Sequence, residues 1–469
     1  MWEIEALFAR EEEFGDLDAA GAVDRLSRAI QYPTINWADH SRTDFAPFEG
    51  LLAHIRASYP ALMERGKLER IGHGVLITIP GRDPALRPCL YMSHQDVVPV
   101  VEGTEGDWTH PPFSGAVADG YIWGRGALDI KQQVFGLLEA AEYLLRRGAA
   151  FARTAYLAFG DDEETLNLGA RAIARELERR GVTLEFVLDE GSGKVEPGDA
   201  LGAPGVLISP IGLMEKGYAD LELSVRSGGG HSSCPFGGTS LGRLARAIAQ
   251  IADLPPRRGL TPVVEGMFRA VAPYVTREPL KTLVADLEGN REEIARLCAG
   301  DRRMFPWVTT TVAPTVIRGS SSACNVLPQD MQAVINFRLM EGDSAEAVLD
   351  RCRRAVSDPG VEMRFLQSND PSATARTDGL GYRLLTERMG RYYPEVVFVP
   401  GLSVTATDAR RYEGICDTCL RCSPFLNWAE EVDARVHGTD ERISLRGYLQ
   451  GIRVLIHLME RANVRPDRA

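Results

Sequence analysis

LRPCLYMSHQD at residues 86–96, QQVFGLLEAAEYLLRRG at 132–148 and TAYLAFGDDEE at 154–164 decide the fold. The first and third are short apolar runs closed by Pro, Gly or polar residues, which is how buried strands read. Between them Val134, Leu137, Leu138, Ala141, Leu144 and Leu145 recur at helical spacing, and Gly148 after two Arg is a stop signal. Strand, helix, strand in that order predicts an α/β fold with a doubly wound, mostly parallel sheet, to which LEFVL at 184–188 adds another strand.

Near residue 213 the texture changes. ADLELSVRS at 219–227 and MQAVINFRLM at 331–340 alternate like half-exposed strands, and helical stretches follow each, around 240–252 and 344–356. The expected organisation is a larger domain from residues 1–213 and 375–469, interrupted by a smaller α+β domain at 214–374. Residues 253–310, richer in Pro and charge, are expected to elaborate that insertion. After about 375 the α/β texture returns and ends in a helix with Leu445, Leu449, Ile452, Ile456 and Met459 on one stripe.

A chain of 469 residues is long enough for two or three domains. Its net charge is −12 and it has no Lys/Arg-rich run, which argues against nucleic acid as a partner. No window holds the 18 or so uninterrupted apolar residues of a membrane span. The opening MWEIEALFAREEEFGDLD is acidic and unlike a signal peptide. Eight Cys in such a chain read as reduced thiols. A cytoplasmic enzyme acting on a small molecule or short peptide is the expected class.

Polar residues gather where the predicted strands end: His94-Gln95-Asp96, then Asp161-Asp162-Glu163-Glu164, then Asp189-Glu190. Open α/β sheets bind ligands outside the carboxyl ends of their strands. Adjacent acids there repel each other unless a cation compensates them. A His and several carboxylates without Cys form a donor set for zinc or manganese. A solvated turn or a helix N-terminus explains any one motif, but not three strand ends in order followed by GRGALDIK and VHGTDERI.

SHQDVVPV, WTHPPFSG, GRGALDIK, GDDEET, VLDEG, GGHSSCP, CNVLP and VHGTDERI occur in the order found in metallopeptidase family 20. The chain resembles that family of aminoacylases, carboxypeptidases and related deacylases over residues 30 to 460, and most of all its carboxypeptidase S branch. The resemblance implies two Zn2+ per chain, with Co2+ or Mn2+ as substitutes. His94 and Asp189 would hold one metal, Glu164 and His437 the other, and Asp129 would bridge them. It implies Asp96 as the acid that orients His94, and Glu163 as the general base. A hydroxide bridging the metals would attack the amide of a short peptide or an N-acyl amino acid with a free carboxylate. On the inserted lid/dimerisation domain, His231 would stabilise the oxyanion, and Asn325 and Arg338 would contact substrate. A homodimer is implied, as is a cis peptide at Asp129-Ile130. Asp161, where the family usually has His, and Thr405-Ala406, where it often has paired Gly, depart from the pattern. A metal-binding homologue without turnover is the alternative, against which the intact ligand set and Glu163 argue.

Other candidates find no partners. Cys416, Cys419 and Cys422 lack a fourth ligand for a metal knuckle and are expected to be structural. His457 flanks the last helix's apolar stripe and is expected to be structural. His110 in WTHPPFSG is expected to shape the pocket wall.

Overall fold

The computed structural model describes residues 13–191, 193–319 and 323–465, so the acidic opening up to residue 12 lies outside it. Its main sheet has ten strands. At the centre Ala155–Gly160, Cys89–His94, Phe186–Asp189 and Cys419–Arg421 lie side by side, all parallel. Their carboxyl ends therefore open on one edge of the sheet. The flanks are antiparallel. Gly74–Ile79 and Lys67–Ile71 border Ala155–Gly160 on one side. On the other, Leu207–Glu215 runs against Cys419–Arg421 and pairs in parallel with Val396–Ser403.

The unbroken apolar character of the central strands follows from burial on both faces. Cys89, Tyr91, Leu157 and Phe159 belong to the core beneath helices Lys131–Arg146 and Leu445–Met459. Their neighbours Leu90, Met92, Tyr156 and Ala158 face Leu168–Arg179 and the turn Asp408–Tyr412 instead. Alternate residues thus serve opposite layers, which is the doubly wound arrangement.

The second sheet is antiparallel, in the order Thr311–Gly319, Asp330–Leu339, Gly217–Arg226, Glu362–Asn369. Helices Ser240–Ala252 and Ala345–Ala355 cover one face through a core that includes Leu221, Leu223, Leu244, Ile335 and Val348. Thr239 and Ser344 begin these helices, each accepting a backbone N–H three residues on.

Residues 253–310 pack against the large sheet. Their helices Pro262–Val271, Leu280–Ala285, Arg291–Ala299 and Phe305–Val308 form a core of their own with Ile208 and Val399 of the large sheet. The reason is visible in the strands. Leu207–Glu215 and Val396–Ser403 offer an apolar face that the smaller sheet leaves uncovered, and Val264, Phe268 and Val271 cover it. Buried Lys216 fastens the end of this segment, its Nζ donating to the carbonyls of Pro306 at 2.7 Å and Thr309 at 2.6 Å. Among the described residues, no helix is long and apolar enough to cross a membrane.

Candidate metal centre

Both imidazoles singled out by the sequence meet one carboxylate. His94 Nε2 lies 3.2 Å from Asp129 Oδ1, and His437 Nε2 lies 3.1 Å from Asp129 Oδ2. Glu164 Oε1 completes the second group at 3.0 Å from His437 Nε2. Glu190 Oε1 completes the first at 3.5 Å from His94 Nε2. In each triad, ligand-type atoms lie within 4.8 Å of one another. Nitrogen and oxygen donors, one imidazole and two carboxylates per triad, suit zinc, manganese or cobalt.

The expected Asp189 does not join the first triad. Its carboxylate is turned to the backbone, accepting the N–H of Glu190 at 2.7 Å and of Ala409 at 2.7 Å. Side chains alternate along a strand, so Asp189 and Glu190 point to different sides where Phe186–Asp189 ends. Glu190 takes the side that faces His94.

Asp96 does two things. One carboxylate oxygen lies 3.3 Å from His94 Nδ1, whose ring also lies 3.0 Å from the Asp96 carbonyl. The same carboxylate accepts the backbone N–H groups of Glu163 at 3.2 Å and Glu164 at 3.1 Å. A single side chain therefore sets the imidazole of one triad and the backbone that presents the other triad's glutamate.

The charges respond to this crowding. Burial, then the Glu190 carboxylate, pushes Glu163 well above the ordinary carboxylate range. Burial likewise raises Glu190 and Glu164. Hydrogen bonds donated to the Asp129 and Glu164 carboxylates lift His437 to about 10. A cluster of acids this close, in a place this dry, is relieved by a cation. Asp161, at the position where the resemblance leads one to expect His, is pushed up to about 7 by burial and by Asp162 and Asp96.

Asn167 and Glu441 were not singled out from the sequence. Asn167 has left-handed backbone, φ 54°, which Asn tolerates better than most residues. Its amide donates to the Glu163 carbonyl at 2.9 Å and to Asp408 at 3.0 Å, steadying the acidic turn. Glu441 sits in the quoted VHGTDERI, where only His437 was read as functional. Its carboxylate is buried against the loop that carries Asp129. The Asp129–Ile130 peptide is cis, as the resemblance implies.

A cavity of about 680 Å³ opens over both triads and is lined by Asp129, Glu163, Glu164, Glu190 and His437. Pro210, Trp307, Leu402, Phe425 and Val432 give it an apolar wall, and Trp307 and Arg303 reach it from the helical segment on the large sheet. Thr405 and Ala406 stand on its rim. The candidates from residues 214–374 lie outside the two triads. His231 is exposed and outside the cavity lining, its Nδ1 accepting the Ser233 N–H at 3.2 Å. Asn325 is exposed, its carbonyl accepting the N–H of Ser232. Arg338 stacks over Tyr218 at 4.7 Å and donates to the carbonyl of rim residue Val404 at 3.1 Å.

The remaining candidates are placed elsewhere. His110 packs edge-on against Trp123 and is not in the cavity wall, contrary to expectation. Cys416, Cys419 and Cys422 are buried and belong to neither ligand triad. His457 lies 3.2 Å from the Tyr392 hydroxyl, inside the apolar packing of the last helix.

The chain is similar to known proteins over most of its length. The model of Peptidase family M20/M25/M40 matches residues 90–461. The chain is 33% identical over 460 residues to an N-fatty-acyl-amino acid synthase/hydrolase of Danio rerio, covering 94% of this chain and 86% of that one. It is 32% identical to a probable carboxypeptidase S-like protein of Dictyostelium discoideum, covering 96% and 86%. Among solved structures it resembles an M20 family metallo-carboxypeptidase from Sulfolobus solfataricus, with TM-score 0.65 and 18% identity, covering 94% and 98%.

Proposed function

The chain belongs to peptidase family M20/M25/M40 and is a metallohydrolase, and from that premise we propose that it is a di-zinc hydrolase cleaving the amide of short peptides or N-acyl amino acids that carry a free carboxylate. The single observation that carries this reading is Asp129, whose two oxygens face one imidazole each. His94 and Glu190 would hold one ion with Asp129, and Glu164 and His437 the other. The expected ligand Asp189 gives way to Glu190, because its own oxygens are committed to backbone amides. The metal pair, when bound, supplies Lewis-acid charge against the scissile carbonyl.

Glu163 would take the proton of the attacking water and return it to the leaving nitrogen. Its raised affinity for a proton and its place on the cavity wall beside Glu164 support that role. Asp96 keeps His94 in one ring orientation. Arg338, which donates to the carbonyl of cavity-lining Val404, would offer a planar cation to the substrate carboxylate. The apolar wall around Trp307 and Phe425 suits an apolar acyl group or side chain, in keeping with the fatty-acyl relative.

In this reading residues 1–213 and 375–469 form the metal-holding domain. Residues 214–374 form the inserted lid/dimerisation domain, which presents His231 to the partner's site in a homodimer. The free thiols support a cytoplasmic setting.

The test is metal analysis of the purified chain, with amine release measured across dipeptides and N-acyl amino acids. Two equivalents of zinc and chelator-sensitive release are expected. A chain that binds no metal, or that releases no amine with both ions bound, would refute the reading.

A further inference from the structure

Glu441 is fully buried, and its carboxylate is saturated by a single loop. Oε1 accepts three backbone N–H groups, from Gly126 at 3.0 Å, Leu128 at 2.7 Å and Asp129 at 3.0 Å. Oε2 accepts Arg125 Nη1 at 2.6 Å. The second nitrogen of the Arg125 fork donates to the carbonyl of His437 at 3.2 Å. One carboxylate thus winds residues 125–129 around itself, and its counter-ion ties that turn to His437. Even the backbone takes part, the Glu441 carbonyl accepting the Gly124 N–H at 2.8 Å.

A buried carboxylate is costly unless every oxygen is satisfied, and here each bond goes to a backbone or cation that leads to a ligand. Asp129 must offer one oxygen to each triad, so a small rotation of its backbone would spoil both. His437 adopts left-handed backbone, φ 60°, and needs an external hold for the same reason. We propose that Glu441 is the positioning residue that fixes Asp129 between the two metals and, through Arg125, keeps His437 in register with it. The proposal rests on the metal-pair reading above, and predicts that Glu441 acts on metal affinity without touching metal or substrate.

The test is calorimetric titration of the chelator-treated chain with Zn2+, paired with the visible spectrum of the Co2+ form. Glu441→Gln keeps an oxygen for the three amides but turns an N–H2 toward the Arg125 guanidinium, donor against donor. It should weaken binding at both sites by about 10–100-fold, as loss of a partner behind a ligand typically does, and should shift the Co2+ bands. Glu139→Gln is the comparator. Glu139 is also buried and ion-paired, to Arg25 at 2.6 Å, but serves no ligand loop, so its variant should bind metal normally. Wild-type affinities and spectrum in a folded Glu441→Gln chain would overturn the proposal, as would equal losses in Glu139→Gln. Should Glu441→Gln fail to fold, Arg125→Lys decides. It keeps a cation beside Glu441 but loses the fork to His437, so only the His437 site should weaken, and unchanged binding there would refute the proposal. A wild-type chain taking up no metal would instead defeat the metal-pair reading on which it stands.

Discussion

Glu163 stands one residue before Glu164 of the second triad yet joins neither triad, and in the proposed reading its carboxylate is the one that would carry the proton. Glu163→Gln should keep two metals per chain while kcat falls by about 10²–10⁴-fold, the usual range for a lost general base. Elemental analysis and steady-state kinetics on the same preparation check both halves. The neighbouring pair Asp189-Glu190 poses a different question, because either acid could serve from sequence alone. A motif names the residue types, but the side on which a side chain emerges depends on where the strand stops pairing, and sequence does not mark that point. The bonds from the Glu190 and Ala409 amides settle the direction of Asp189. Glu190→Ala should therefore deplete the His94 metal, whereas Asp189→Asn should retain both ions. Metal content in the reverse pattern would return the ligand role to Asp189. His94, Asp129, Glu164 and His437 were legible because each sits in a motif whose order carries the resemblance. Asn167 and Glu441 were not, since their work is done on backbone groups that no side-chain pattern reveals.

The two helices under the site show how packing reaches the cavity. Phe425 lines the cavity and is buried between Lys131–Arg146 and Leu445–Met459. A Cβ added at Gly451 would stand 2.1 Å from its ring, and one at Gly136 would stand 2.4 Å from it. Gly451→Ala should cost about 1–3 kcal/mol in urea denaturation, as overpacking does, and should also raise KM by narrowing the cavity. A loss of stability with unchanged KM would mean the helices part instead. The last helix carries a pH dependence as well. Burial, then Arg388 and Arg391, pushes His457 down to about 4 from an ordinary 6.5. The unfolded chain then binds the proton first as pH falls, so stability is full above about 6.5 and drains away toward 4. The loss grows as pH falls through that window. Denaturation midpoints of His457→Phe should fall less steeply across that window than those of the wild type. At this scale the sequence was most readable. Strands and helices with one dominant period are legible, while the packing of residues 253–310 on the large sheet is not, because amphipathic helices do not specify which apolar face they will cover.

At the scale of the whole molecule, the two sheets divide the chemistry. Both ligand triads belong to the large sheet's edge, while His231, Asn325 and Arg338 come from the span that forms the smaller one. His231 is exposed in a short two-stranded ribbon with Val326–Leu327, and the strand Thr311–Gly319 at the edge of the four-stranded sheet exposes Val316 and Ile317. An open edge with apolar side chains invites pairing with another copy, and two-fold pairing is the commonest closure for soluble chains. If His231 works across such an interface, one good copy of each residue per dimer suffices for one working site. Glu163→Gln and His231→Ala chains, each nearly inactive alone, should then regain activity when unfolded and refolded together. With random exchange about half the dimers are mixed, and each mixed dimer holds one intact site of its two, so about a quarter of wild-type turnover is expected. The companion measurement is sedimentation, which should find dimers that Ile317→Lys disrupts. No recovery, with subunit exchange demonstrated by differently tagged chains, would mean that His231 serves its own chain through closure of the smaller sheet over the cavity, or has no part in turnover.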